Sequence, residues 1–209
     1  MTTQTNSINL KGSAQIITQY LHYGINSILF QRGIYPPEEF VFKEEYGITI
    51  LVSKNKKILE FLENILKKVE EWLPHQKLER ISMVLIEISS RKTLERWDFT
   101  IAYEDDNHTD ENSQQVSNKS LKQIQSEIRN VMRQITSSIS FLPLIENRAT
   151  FDVLLHPKKS EYANEIPSEW EWRSASDITI ANSQSVNMRS FSTGFDKVDT
   201  AVVYRMIEE

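Results

Sequence analysis

The stretch from Glu79 to Glu104 constrains this chain more than any other. "ERISMVLIEIS" and "LERWDFTIAYE" are two runs rich in β-branched and aromatic residues, separated by the polar turn Ser90-Arg91-Lys92. They read as a hairpin. Side chains alternate across a strand, so Trp97, Phe99, Ile101 and Tyr103 share one side of the second run, and Arg96, Asp98 and Thr100 share the other. The chain is therefore committed to a sheet with one face on a core.

Helical spacing supplies what covers that face. Ile17, Leu21, Ile25 and Leu29 recur at i+4 with Ile16, Tyr20 and Ile28 beside them, which predicts a helix to about Arg32 with Ser13 placed to cap it. Gly33 and the Pro36-Pro37 pair close it. "FVFKEEYGITILVS" reads as two short strands around Tyr46-Gly47, and Ile58, Leu62, Ile65, Val69 and Trp72 predict a second helix over 55–73, ended by Pro74. A third helix is expected over 120–142, with Leu121, Ile124, Ile128, Val131, Ile135, Ile139 and Leu142 as its buried stripe. "TFDVLLHP" alternates Phe151, Val153 and Leu155 as a further strand. After it come only short strand-like pieces, "ITIA", "MRSFS" and "TAVVYRM", too short to dictate their own pairing. The order describes an α+β domain filling residues 1–209.

Composition removes several classes of function. The chain has 209 residues, 39% of them hydrophobic, with a formal net charge of −5. That balance argues against nucleic acid or an anionic membrane as a partner. No cysteine is present, so neither a disulfide framework nor a thiolate metal site is available. No run approaches the roughly 18 apolar residues of a membrane span, and a soluble protein is expected. His22, His75, His108 and His156 occur singly, without metal-ligand spacing. No phosphate-cradling glycine motif occurs among the five glycines. The paired carboxylates Glu44-Glu45 and Asp105-Asp106 fall in a turn and in the polar stretch 104–120, where they solubilise. No catalytic, cofactor or metal site is expected. Trp72 and Trp97 belong to core faces, whereas Trp170 and Trp172 lie in the tail, where at least one should anchor it to the body.

The third helix carries a puzzle on its polar side. Phe141 projects nearly opposite the buried stripe, beside Asn130, Arg133, Gln134 and Ser137, on a face the periodicity makes wet. "NSILFQRGIYP" (26–36), "LERWDF" (94–99), "RQITSSISFLPLIE" (133–146) and "RSFST" (189–193), taken in that order and spacing, closely resemble the spindle-checkpoint HORMA-domain proteins of the mitotic-arrest-deficient family. The resemblance covers nearly the whole chain, from about Ser7 to Tyr204.

It implies a HORMA domain: three main helices packed on a mostly antiparallel sheet, with a mobile N-terminal segment over 1–11, a core over 12–156 and a rearrangeable C-terminal safety belt over 157–209. It further implies a binding protein that captures an extended closure motif along the strand of Phe151, Val153 and Leu155, with Trp170 anchoring the belt. The implied partners are the activator subunit of the anaphase-promoting complex, a coiled-coil kinetochore receptor, a second copy in an open-closed dimer, and a checkpoint-silencing HORMA-like protein. Arg133, Gln134, Phe141 and Arg189 match the family's dimerisation surface, and Leu10, Asp196 and Val198 its conformational switch. Asp196 departs from a common histidine and Gly194 from a common threonine. The implied location is nucleus and cytoplasm, with unattached kinetochores and the nuclear envelope in mitosis. A translesion-polymerase adaptor or a meiotic axis subunit of the same fold is the alternative, with a different closure motif.

Overall fold

A computed structural model describes residues 8–104, 116–167, 170 and 178–206. Trp172, His108, Asp105 and Asp106 lie outside the described residues. Three helices, α1 (Leu10–Gln31), α2 (Lys56–Trp72) and α3 (Leu121–Ser137), accompany strands β1 (Phe40–Glu45), β2 (Ile48–Ser53), β3 (Leu78–Glu87), β4 (Thr93–Tyr103), β5 (Ala149–Pro157), β6 (Ser183–Asn187), β7 (Phe191–Ser192) and β8 (Asp196–Arg205). β1 and β2 form a separate two-stranded hairpin. The main sheet has the order β5-β3-β4-β8-β6, with β7 also on β8, and every pairing is antiparallel.

The central helix α1 is apolar on most of its circumference, as suits a helix buried on several sides. Ile17, Tyr20, Leu21, Ile25, Ile28 and Leu29 are wholly buried, each contributing about 1.5–3 kcal/mol of transfer free energy. Its cap is not Ser13. Asn9 Oδ1 accepts the Gly12 N–H at 2.8 Å, and the helix starts one turn earlier than the apolar spacing suggests. Ser13 is instead buried inside the helix and bonded to residues near the C-terminus. Asn55 and Ser120 cap α2 and α3.

α3 also ends early. At Ser137 it tightens into a 3-10 turn over Ser138–Ser140, so the α-helical period no longer applies there. Ser138 turns inward and Ile139, expected in the buried stripe, is 50% exposed. Leu142 remains buried.

The C-terminal part is more ordered than its fragments suggest. β8 runs ten residues with alternate positions buried: Asp196, Val198, Thr200, Val202 and Tyr204. Its start was hidden because Asp196 and Thr200 occupy inward positions. Their partners, Ser13 and Tyr20, sit on α1. The polar run at Ser183–Asn187 is the edge strand β6, whereas "ITIA" forms no strand.

Three of the four motifs behind the family resemblance meet in one buried node. Arg32, at the end of α1, donates from Nε and Nη2 to the Glu95 carboxylate on β4, the shortest contact being 2.5 Å. Arg32 Nη2 also donates to the Pro143 carbonyl, and Trp97 Nε1 donates to Glu95 at 3.1 Å. The fourth motif lies apart from this node: Phe191 packs edge-on against Tyr20 of α1 at 4.8 Å.

Candidate binding edge, belt and helical face

β5 pairs with β3 on one side and, among the described residues, with no strand on the other. Lys158 N–H bonds to the Lys77 carbonyl next door to β3, and the Arg148 carbonyl accepts from Ile88. Even-numbered backbone groups thus face β3. By alternation, the N–H and C=O groups of Phe151, Val153 and Leu155 point to the free edge. The Val153 N–H is occupied there by the neighbouring Asp152 carboxylate at 2.8 Å. Unpaired edge groups invite another strand, and a local side-chain acceptor is one way to blunt the edge until it arrives.

The side chains of Phe151, Val153 and Leu155 face the helix side, opposite Leu85, Met83 and Ile81 of β3. Phe151 lies between Tyr35 at 6.1 Å and Phe61 of α2 at 5.5 Å, both edge-on. A strand added to this edge would therefore meet an aromatic wall on one side.

The segment that follows β5 reaches the other side at Ile178. It leaves β5 beside Lys77, whose ammonium pairs with Glu165 at 2.7 Å. Ile166 and the half-buried Trp170 pack against the main core. Ile178 then lies over Val84 and Ile86 of β3 with Leu154 beside it, and Arg96 holds the Ile178 carbonyl at 3.0 Å. The chain next enters β6 at the opposite edge of the sheet. From Ile178 to Asn182 it thus lies over the outer sheet face, between β3 and the far edge.

That cover corrects the expectation of a sheet with one face on the core. Part of the outer face is covered too, by Ile178 over Val84 and Ile86, and beside it lies a polar cluster. Asp98 accepts from Ser82 Oγ at 2.6 Å and from Arg96 Nε at 2.9 Å. Arg80 Nε stands 3.9 Å from the same carboxylate, and Arg80 Nη2 lies 3.4 Å from His156 Nδ1. Burial first, then the Arg80 guanidinium, pushes His156 down to about 4. The sequence signal for this cover was the continuous apolar run Met83–Ile86, which reads as a stretch of strand buried on both faces.

The helical face is separate. Gln134 Oε1 accepts the Arg189 N–H at 2.6 Å, joining α3 to the segment before β7. Arg133 and Arg189 are exposed, and Phe141, 43% exposed, lies 6.5 Å from the Tyr204 ring. Of the proposed switch residues, Leu10 opens α1 and is half-buried, while Asp196 and Val198 are buried on β8 opposite Tyr103 and Ile101. Ser13, Ser117 and Thr193 complete this junction. Ser117 N–H bonds to the Ile8 carbonyl and Ser117 Oγ to the Thr193 carbonyl, so the residue before α1 and the turn before β8 are joined through it. Nothing in their spacing announced these contacts.

Among the described residues, no group of three or more His, Asp or Glu side chains could hold a metal ion. No described helix is long and apolar enough to cross a membrane.

Comparison with known proteins gives the arrangement a context. A family model described as the HORMA domain matches residues 13–196. The chain is 39% identical over 200 residues to the mitotic spindle assembly checkpoint protein MAD2A of Dictyostelium discoideum, covering 96% of this chain and 94% of that protein. Among solved structures it is similar to a chain in the crystal structure of the mitotic checkpoint complex, with a TM-score of 0.80 and 32% identity over 93% of this chain and 99% of that one. The Caenorhabditis elegans protein HTP-2, solved bound to the HIM-3 closure motif, shares the fold with a TM-score of 0.73 at 16% identity, covering 96% of this chain and 93% of that one.

Proposed function

Because this chain belongs to the HORMA domain family and is a spindle assembly checkpoint protein of the mitotic-arrest-deficient branch, we propose that it acts by enclosing an extended peptide between the free edge of β5 and the segment after Pro157. The observation that carries this reading is that β5 has no second neighbour among the described residues, while the chain after it lies over the same sheet at Ile178. A peptide laid along Phe151, Val153 and Leu155 gains main-chain hydrogen bonds of about 1 kcal/mol each, while side-chain pockets supply selectivity.

The ligands in this reading are the closure motifs of the anaphase-promoting complex activator and of a coiled-coil kinetochore receptor. Capture of the activator holds back the ubiquitin ligase and delays anaphase. The chain works by binding and not by catalysis, in nucleus and cytoplasm and at unattached kinetochores. Residues 157–209 act as the belt and Trp170 as an anchor. The face formed by Arg133, Gln134, Phe141 and Arg189 joins a second copy or a silencing HORMA-like protein. Leu10, Asp196 and Val198 belong to the region that repacks when the belt moves.

The test is a titration of the full chain with a synthetic closure-motif peptide of the activator. Binding is expected in wild type and lost in Val153→Pro, since proline there removes one outward N–H and no pairing to β3. Equal binding to both would refute the edge. Separately, Arg133→Glu with Gln134→Ala is expected to leave peptide binding intact and abolish self-association on a sizing column.

A further inference from the structure

The outer face of β5 reveals what the captured peptide must carry. A strand added to the free edge places alternate side chains on the belt side, level with Asp152, Leu154 and His156, at the 4.5–5.5 Å Cβ separation of a cross-strand pair. The position level with His156 is distinctive, because Arg80 of β3 is the register partner of His156 and its guanidinium reaches across to the imidazole at 3.4 Å.

The hydrogen-bond roles follow from the chemistry of the two groups. A guanidinium only donates, so His156 Nδ1, facing Arg80 Nη2, is the acceptor of the pair. A neutral ring then carries its proton on Nε2. The depressed proton affinity of His156, caused by burial and by Arg80, keeps the ring neutral at physiological pH. Among the described residues, Arg80 Nε and His156 Nε2 have no hydrogen-bond acceptor.

The local countercharge is already committed. Asp98 is engaged by Ser82 and Arg96, leaving Arg80 at 3.9 Å. Arg80, Arg96 and Asp98 together leave this patch with one positive charge in surplus. The Arg80 side chain is 32% exposed, so a carboxylate set beside it on an added strand neutralises that charge through a charge-assisted hydrogen bond.

We propose that Arg80 and His156 form a subsite for an acidic side chain, so that the peptide held on β5 carries Asp or Glu at the belt-facing position beside His156. This inference rests on the edge-binding reading and adds to it a charge requirement at one position.

The probe is a randomised dodecapeptide library selected on the full-length protein. Each position of a selected peptide is then replaced by Glu, Gln, Lys or Leu, and affinity is read by fluorescence anisotropy. At one position, Glu is expected to bind about tenfold more tightly than Lys. That preference should fall below about threefold in Arg80→Gln and in His156→Phe, while the Leu peptide binds all three proteins alike, which controls for folding. A library with binders but no such position, or a preference that survives both substitutions, overturns the subsite and leaves the edge standing. A folded protein that selects no binder at all overturns the edge reading, and the subsite with it.

Discussion

Ser13 Oγ donates to Asp196 Oδ2 at 2.5 Å across 183 residues of sequence, and also lies 2.6 Å from Thr193 Oγ1. Both residues are buried, so this contact fastens the start of β8 to the first turns of α1. A hydrogen bond to a buried charged group is worth about 1.5–3 kcal/mol. Ser13→Ala should destabilise by that amount in urea unfolding. Combined with Asp196→Ala it should cost clearly less than the sum of the single changes. Strict additivity would mean that the contact contributes nothing.

The turn just before Asp196 predicts a second effect. Gly194 has φ of +90°, and a Cβ there would stand 2.3 Å from Ser117 Oγ and 3.2 Å from Ser117 Cβ. Gly194→Thr should cost about 2–3 kcal/mol from backbone strain and crowding together, lowering Tm by about 5–10 °C. Adding Ser117→Gly should restore only the crowding part, because the positive φ remains. An unchanged Tm in Gly194→Thr would contradict the close approach.

Arg32 and Glu95 form the buried ion pair that ties α1, β4 and the segment after α3 together. Burial raises the Glu95 carboxyl, and Arg32 opposes that rise. Arg32→Met leaves a buried carboxylate without its cation and should cost about 3–5 kcal/mol. Arg32→Met with Glu95→Leu should recover much of the loss, as measured by chemical denaturation. A double variant no better than the single one would show that packing, and not charge, dominates the node.

His156 makes stability depend on pH in a defined window. Its folded value, about 4, lies below the ordinary histidine value of about 6.5. Between these two pH values the unfolded chain takes up a proton that the folded chain refuses. Stability therefore falls as pH drops from about 6.5 toward 4, by an amount on the order of 1–2 kcal/mol after allowance for solvent screening. His156→Phe should flatten this part of the profile in denaturation series run between about pH 7.5 and pH 4.5. An identical slope in both proteins would assign the effect to other groups, of which His22, lowered by burial and by Lys43, is one.

The parts of the fold legible in the sequence were those whose stabilising contacts are local or strictly periodic. α2 and the β3–β4 hairpin carried their own pattern, and Phe141 was recognisable as lying outside the core stripe. The early end of α3 was hidden because nothing before Pro143 breaks the helical spacing, so Ile139 was assigned inward although the 3-10 turn carries it out. β8 and the cap of α1 failed for a shared reason. Polar residues at inward positions, Ser13, Asp196 and Thr200, look like surface until their partners at the other end of the chain are known. The outer-face cluster of Arg80, Asp98 and His156 was illegible in the same way, since strand alternation cannot announce a later segment that lies over the outer face. Arg32, Glu95 and Pro143 were visible as motif residues, but only their convergence explains why those motifs belong together.

The measurement that tests the account most directly is amide hydrogen exchange of the full chain, with and without the activator's closure-motif peptide. The predicted result is new, slowly reversible protection at the outward amides of Phe151, Val153 and Leu155 together with 158–182, with the amides of Asp152 and Leu154, already turned to β3, little changed. Protection confined to α3 and the segment around Arg189, with the β5 amides exchanging as before, would contradict it.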